Sequence, residues 1–123
     1  MEQEYIKGDI VIYDNKIYTI MDTLGVNNYE LSYISHPVNQ LELLGVPITP
    51  AILEKNGWEK DEEASFKTQL YYRKKVGVRT IFVIIKEETS RVIYDSACLR
   101  IIQYCHELQH LLFGLGLNSE IEV

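Results

Sequence analysis

The sequence predicts an α+β protein, a single domain with two lobes, and three observations lead to this prediction. In residues 6–34, runs rich in Ile, Val and Tyr alternate with turn-forming residues, as expected of a β-meander. A second series of β-rich runs occupies residues 66–102. Residues 104–115 instead place apolar side chains at helical spacing, so we expect an amphipathic C-terminal helix packed on the second sheet.

The first lobe, residues 1–36, is predicted to contain three strands. The runs 6–13 and 17–21 are joined by a short polar turn and form a hairpin, and the run 29–34 continues the meander. Gly8-Asp9 before the first strand, the tight turn and the tyrosine in the second strand together resemble the opening of an SH3-like barrel. That resemblance implies an adaptor for peptides, nucleic acids or other subunits.

An extended connector and a short helix are predicted next. Residues 37–48 form the connector, and residues 49–123 form the second lobe. Thr49 is suited to cap the N-terminus of a helix, and Pro50 to occupy its first position. Because Gly57 adopts the left-handed conformation easily, we expect the helix to end there.

The remainder of the second lobe is predicted to be an antiparallel sheet. Its β-rich runs are residues 66–72, 78–86, 91–94 and 98–102. The segment 81–85 is apolar at every position, so we expect a central strand that is buried on both faces. The C-terminal helix is the element large enough to cover one of those faces.

The C-terminal helix also carries a chemical motif. Its apolar stripe consists of Tyr104, Cys105, Leu108, Leu111, Leu112 and Leu115. On the opposite side His106 and His110 are spaced by one helical turn and flank Glu107, which satisfies the HExxH pattern. In zinc peptidases the two histidines bind the metal and the glutamate acts as general base. The alternative hypothesis is therefore a minimal zinc-dependent peptidase with zinc on His106 and His110 and with Glu107 as catalytic base.

Two features oppose the zinc hypothesis. A catalytic zinc site needs a third protein ligand, and the distant candidates Glu120, Glu122 and His36 have no context that would fix them. The helical projection also turns the two histidines toward solvent, whereas a catalytic metal needs an enclosed and supported cleft. The primary prediction therefore assigns no catalytic residue, no metal and no cofactor.

Two segments resemble small uncharacterised proteins of Bacteroides-type gut bacteria and of their phages or mobile elements. Residues 47–58 match the cassette of proline, threonine, short helix, glycine and aromatic residue in those proteins, and residues 104–113 match their closing helix. With the Gly8-Asp9 hairpin, the resemblance spans most of the chain. It implies a fold and a biological setting but no mechanism. Position 110 is usually asparagine in that pattern, so His110 departs from it.

The charge distribution disfavours a general nucleic-acid-binding protein. The net charge is −6, with acidic and basic residues interspersed, which opposes the release of counterions that drives non-specific binding. One segment of the sequence combines aromatic and basic residues, since Tyr71-Tyr72 precedes Arg73, Lys74 and Lys75. Aromatic rings stack on bases and cations neutralise phosphates, so a nucleic-acid-binding small barrel is the weaker alternative.

Composition favours binding over catalysis. The chain has nine tyrosines, a residue type that is enriched at protein interfaces. Cys98 and Cys105 have no redox spacing, so we expect two reduced, buried thiols. The sequence shows no secretory signal and no membrane-spanning run, so we expect a cytoplasmic protein. We predict a non-enzymatic interaction or accessory protein of bacterial, phage or mobile-element origin, which binds a protein partner or a second copy of itself.

Overall fold

The computed structural model describes residues 5–66, 68–94 and 97–123. Within these ranges the chain forms two antiparallel five-stranded sheets and two α-helices, which confirms the predicted α+β class. The first sheet contains β1 (Ile10–Tyr13), β2 (Lys16–Leu24), β3 (Asn28–Leu31), β4 (Val38–Asn39) and β5 (Leu44–Gly45). The second sheet contains β6 (Glu59–Lys60), β7 (Leu70–Val76), β8 (Arg79–Lys86), β9 (Thr89–Tyr94) and β10 (Ala97–Ile102). The helices are α1 (Pro50–Lys55), α2 (Cys105–Gly114) and a short 3₁₀ helix, Gln40–Glu42.

The chain divides into two compact units. The first contains the residues up to Val46 together with Tyr104–Ile121, and the second contains Pro47–Gln103 and the last two residues. The C-terminal helix therefore belongs with the first sheet, whereas the sequence predicted it on the second. The helical projection weighed only apolar side chains, but α2 is held by polar groups that bond to the chain around β1. In the described part of the chain, neither α-helix has the length and apolar character needed to cross a membrane.

The first sheet has the strand order β4-β3-β2-β1-β5. Its β1–β2 hairpin is confirmed, and the turn is formed by Asp14 and Asn15 with φ values of 50° and 63°. Left-handed conformations at both central residues fit the right-handed twist of the flanking strands. Strand β5 pairs with β1, with Val11 opposite Gly45, so the last strand of the sheet returns to the first.

The prediction of an extended connector over residues 37–48 is wrong. This segment contains β4, the 3₁₀ helix and β5. Asn39 caps the 3₁₀ helix by accepting a hydrogen bond from the backbone N–H of Leu41, and Glu42 accepts one from the N–H of Asn39. Strands of two residues have no detectable alternation, so the sequence pattern could not reveal them.

The first unit has a core that mixes aliphatic and tyrosine side chains. Its buried members are Tyr5, Val11, Ile20, Tyr29, Leu31, Val38 and Leu43. The buried hydroxyl of Tyr29 donates a hydrogen bond to Oε1 of Gln40 at 2.7 Å and accepts one from the N–H of Tyr5 at 3.4 Å. A buried hydroxyl costs little once it is paired in this way.

A close approach within the first unit explains one glycine. A Cβ atom on Gly45 would lie 2.5 Å from Cγ of Tyr104, the residue that precedes α2. The N–H of Cys105 also donates to the carbonyl of Val46 at 2.7 Å. The start of α2 thus lies directly against β5, and a side chain at position 45 would separate them.

The second sheet has the strand order β10-β9-β8-β7-β6. The predicted central position of this strand is confirmed, since β8 pairs with both β7 and β9. Ile81 and Val83 are buried on one face, but on the other face Ile84 is buried while Phe82 is only half-buried, so the expected burial of both faces is incomplete. The predicted strand 66–72 is shifted toward the C-terminus, and β7 ends at Val76. It begins at Leu70, and Phe66 forms an isolated bridge with Gln69.

The predicted helix α1 and both of its caps are confirmed. The hydroxyl of Thr49 accepts a hydrogen bond from the N–H of Ile52 at 3.2 Å, and Pro50 occupies the first helical position. Gly57 follows the helix with a φ of +86°. Trp58 is buried, and the ammonium of Lys74 lies 5.7 Å from the centroid of its ring. These contacts attach α1 to the second sheet.

Candidate functional site

The histidine face of α2 is buried rather than exposed. His106 has a relative exposure of 3%, and the side chain of His110 has 28%. The ring of His106 stacks on Tyr104 with centroids 5.7 Å apart and meets Tyr5 edge-on at 4.8 Å. The expectation that both histidines face solvent is therefore wrong, because α2 buries this polar side together with Cys105, Leu108 and Leu112.

Gln109 connects α2 to the backbone around β1. Its Oε1 accepts a hydrogen bond from the N–H of Ile10 at 3.0 Å, and its Nε2 donates one to the carbonyl of Gly8 at 2.9 Å. The amide side chain therefore pairs with the main chain as a neighbouring strand would. Burial of Gln109 at 4% exposure is tolerated because both of its polar ends are bonded.

Asp9 and His110 form a close pair in the first unit. Nε2 of His110 lies 2.6 Å from Oδ2 of Asp9, which also accepts a hydrogen bond from the N–H of Ile6 at 2.9 Å. Burial raises the pKa of Asp9 above its ordinary value of 3.8, and this effect exceeds the opposing effects of the Ile6 and His110 bonds. In the sequence, Asp9 is part of the hairpin motif, and no local pattern indicates that it lies against His110, about one hundred positions away.

Glu107 has a structural role at the start of α2. Its Oε1 accepts a hydrogen bond from the N–H of Tyr104 at 3.0 Å, and Glu107 stands at the third helical position. This is the acidic half of a capping box, which satisfies a backbone donor that the helix itself leaves open.

These contacts show that two residues of the HExxH pattern, Glu107 and His110, bind other groups of the first unit. His110 directs Nε2 to Asp9, and Glu107 directs a carboxylate oxygen to the helix cap, so both groups are engaged within the first unit. Within the described residues, no three His, Cys, Asp or Glu side chains are grouped so that they could hold a metal ion. Of the predicted third ligands, Glu120 and His36 belong to the first unit but form no such group with the two histidines, and Glu122 belongs to the second unit.

The two thiols differ. Cys105 is buried as predicted, and burial raises the pKa of its thiol to about 12. A thiol in this state is a weak nucleophile, because the thiolate is the reactive form. Cys98 is exposed on β10, so the expectation of a second buried thiol is wrong. The exposure follows from its place on an edge strand whose first five residues are all exposed.

A largely apolar surface lies around the end of β3 in the first unit. A depression of about 530 Å³ is lined by Met21, Glu30, Leu31, Ser32, Tyr33, Ile34 and Ser35. We call it the Tyr33 surface. Met21 is 47% exposed and Tyr33 is 101% exposed.

Tyr33 is unusual in conformation as well as in exposure. Its backbone φ is +64°, in the left-handed region that a residue with a Cβ rarely adopts. Its ring extends into solvent, so intramolecular packing of the ring does not offset this strain. Tyr33 is one of nine tyrosines in the sequence, and no local pattern distinguishes it from the others.

A basic cleft lies in the second unit. Its volume is about 600 Å³, and its lining residues are Gly57, Glu59, Arg73, Lys74, Lys75, Thr80 and Phe82. The basic run predicted from the sequence therefore lines a concave surface and not only a strand end. Lys74 is turned partly away, since its ammonium donates to the carbonyl of Asn56 at 3.0 Å.

Charge is divided unequally between the two units. The residues of the first unit include nine acidic and two basic side chains, a net charge of −7. Those of the second include nine acidic and ten basic side chains, a net charge of +1. The net charge of −6 thus conceals a strongly acidic first unit and a second unit that carries most of the cations.

Comparison of the chain with family models, with curated proteins and with solved structures gave no match. The resemblance to proteins of gut bacteria and mobile elements therefore stays a prediction. Any function must be argued from the residues of the two units themselves.

Proposed function

We propose that this chain is a non-enzymatic binding protein and that its first unit engages a protein partner through the Tyr33 surface. The observation that carries the proposal is Tyr33 itself, a fully exposed aromatic ring on a strained backbone beside an apolar depression. Backbone strain of this kind costs about 1–3 kcal/mol and tends to be kept at binding and switching sites. Tyrosine is also a frequent energetic centre of protein interfaces.

The chemistry of the surface suggests the class of partner. Met21 and Ile34 offer apolar contact, while Glu30 at the rim and the net charge of −7 on the unit attract cations. A peptide segment with alternating apolar and basic side chains complements all of these features. An arginine on such a segment would also stack on the exposed tyrosine ring.

The enzymatic alternative receives less support from the geometry. Glu107, the base of a zinc peptidase, accepts the helix-capping hydrogen bond, and His110 pairs with Asp9. Both residues have a structural role that accounts for their positions.

The strand order of the first sheet also favours binding over catalysis. Proteins with SH3-like barrels serve as adaptors, and a sheet whose fifth strand pairs with the first is compatible with such a barrel.

The proposal is tested by selection from a displayed peptide library on immobilised wild-type protein. We expect enrichment of peptides with apolar and basic residues, and a binding constant at least about tenfold weaker for Tyr33→Ser. Val78→Ser is the matched control, because Val78 is also 101% exposed but lies in the second unit. A library that yields no binders, or peptides that bind both variants equally well, would contradict the proposal.

A further inference from the structure

One face of the second sheet combines cations with an aromatic side chain at the basic cleft. Residues that pair directly across an antiparallel sheet have their side chains on the same face. The pairing places Glu59, Arg73 and Phe82 in one row across three strands. The next row contains Lys75 and Thr80.

These two rows form the floor of the basic cleft. The alternate residues Tyr72, Ile81 and Val83 point to the other face and are buried there. Phe82 is half-buried and lines the cleft with part of its ring surface accessible. The face therefore presents a half-buried aromatic ring on β8, directly opposite Arg73 and diagonal to Lys75 on β7.

The cations of the cleft differ in how firmly they are engaged. The guanidinium of Arg73 lies 3.4 Å from Asp61 and 3.9 Å from Glu59, and its side chain is 45% exposed. Lys75 is exposed, and among the described residues it forms no ion pair. Lys75 can therefore contact an external anion directly. Arg73 can do so by exchanging its longer contact, with the exposed carboxylate of Glu59, for the anion.

We infer that this cleft binds single-stranded nucleic acid, with Lys75 and Arg73 on phosphates and Phe82 against a base. Aromatic rings on a sheet surface stack on unpaired bases, and neighbouring cations follow the backbone. An acidic peptide would use the cations but would gain little from the ring. This inference goes beyond the proposed function and rests on the second unit alone, so the failure of either leaves the other standing.

The electrostatics predict weak and strongly salt-dependent binding. The net charge of −6 repels a polyanion at long range, so affinity depends on the local contacts. Contact with two phosphates of a single strand gives a slope of about −1.4 in a plot of log K against log salt concentration.

The test is fluorescence anisotropy of a short labelled oligonucleotide at several salt concentrations, with mixed-sequence DNA and RNA as probes. We expect Lys75→Gln to reduce the magnitude of the salt slope by about 0.7. Phe82→Leu should weaken binding roughly tenfold while the slope stays unchanged, and Phe82→Tyr should restore it. Glu59→Gln should strengthen binding, because it removes a carboxylate from the cleft.

Lys16→Gln is the control, since it removes the same charge from the first unit. Three outcomes would overturn the inference. The first is the absence of binding at low salt, and the second is an equal effect of Lys16→Gln and Lys75→Gln. The third is equal binding of a polyglutamate peptide with no effect of Phe82→Leu, which would identify an acidic protein segment as the ligand.

Discussion

Tyr33 shows how one residue can be costly to the fold and still define a surface. Its ring is fully exposed, and its φ of +64° is one that glycine adopts freely and other residues do not. Two substitutions that both remove the ring separate the backbone strain from the contribution of the ring to the surface. Tyr33→Gly relieves the strain, whereas Tyr33→Ala keeps it.

We therefore expect Tyr33→Gly to be more stable than Tyr33→Ala by about 1 kcal/mol in the free energy of unfolding. Urea denaturation of the two variants measures this difference. Both should lose affinity for selected peptides, since both lack the ring. If the alanine variant were the more stable one, as at an ordinary extended position, the strain at Tyr33 would be refuted.

Asp9 predicts a pH dependence of stability. Burial raises its pKa in the folded protein above 3.8, so the folded state holds the proton more tightly than the unfolded chain does. The contribution of Asp9 to the free energy of unfolding is fully present below 3.8 and is lost as the pH rises through the raised pKa. Asp9→Asn should remove this dependence while it keeps an acceptor for the N–H of Ile6.

The prediction is checked by urea unfolding of wild type and Asp9→Asn over an acid-to-neutral series. The stability of wild type relative to the variant should fall as the pH rises. Asp14→Asn, at the exposed hairpin turn, controls for the change of net charge. A relative stability that rises with pH would mean that the bond to His110 outweighs the cost of burial.

At the scale of the element, α2 illustrates a catalytic pattern with a structural role. Its Glu107 caps the helix, and glutamine can accept the same hydrogen bond. We expect Glu107→Gln to change the free energy of unfolding by only a few tenths of a kcal/mol, and Glu107→Ala to lower it by about 0.5–2 kcal/mol. Denaturant titration of the two variants provides the measurement.

Elemental analysis of purified wild type and of His110→Asn tests the zinc hypothesis against this structural role. If Glu107 acts as a helix cap, its alanine variant should lower the free energy of unfolding more than its glutamine variant does. Wild type should then contain no more zinc than His110→Asn. About one zinc per chain in wild type that is lost in His110→Asn would contradict the purely structural role and support a zinc site. Equal destabilisation by glutamine and alanine would show that Glu107 does not act through its cap.

Elements that depend on neighbouring residues were predictable from the sequence. The β1–β2 hairpin and α1 are fixed by residues within a few positions of one another, such as Thr49 at the cap and Gly57 at the end. The position of α2 was not, because Gln109 and His110 bond to residues about one hundred positions earlier. A periodicity analysis assigns polar residues to solvent unless it can identify their distant partners.

At the scale of the whole molecule, the two binding surfaces that we propose belong to two units of different charge. The acidic first unit carries the Tyr33 surface, and the second carries the basic cleft. The sequence indicated the basic run and the abundance of tyrosine, because both are visible in composition. It could not indicate which tyrosine is exposed, because the exposure of Tyr33 depends on the turn that follows β3. Nor could it indicate that the cations line a cleft, because that depends on the register of β7 and β8.

Amide hydrogen exchange can locate the protein-binding site that we propose at the Tyr33 surface. The experiment compares wild-type protein alone with protein saturated by a library-selected peptide. We predict slower exchange in residues 20–35, no change in α2 and no such protection for Tyr33→Ser. Protection confined to α2 or to the second unit, with residues 20–35 unchanged, would contradict the account.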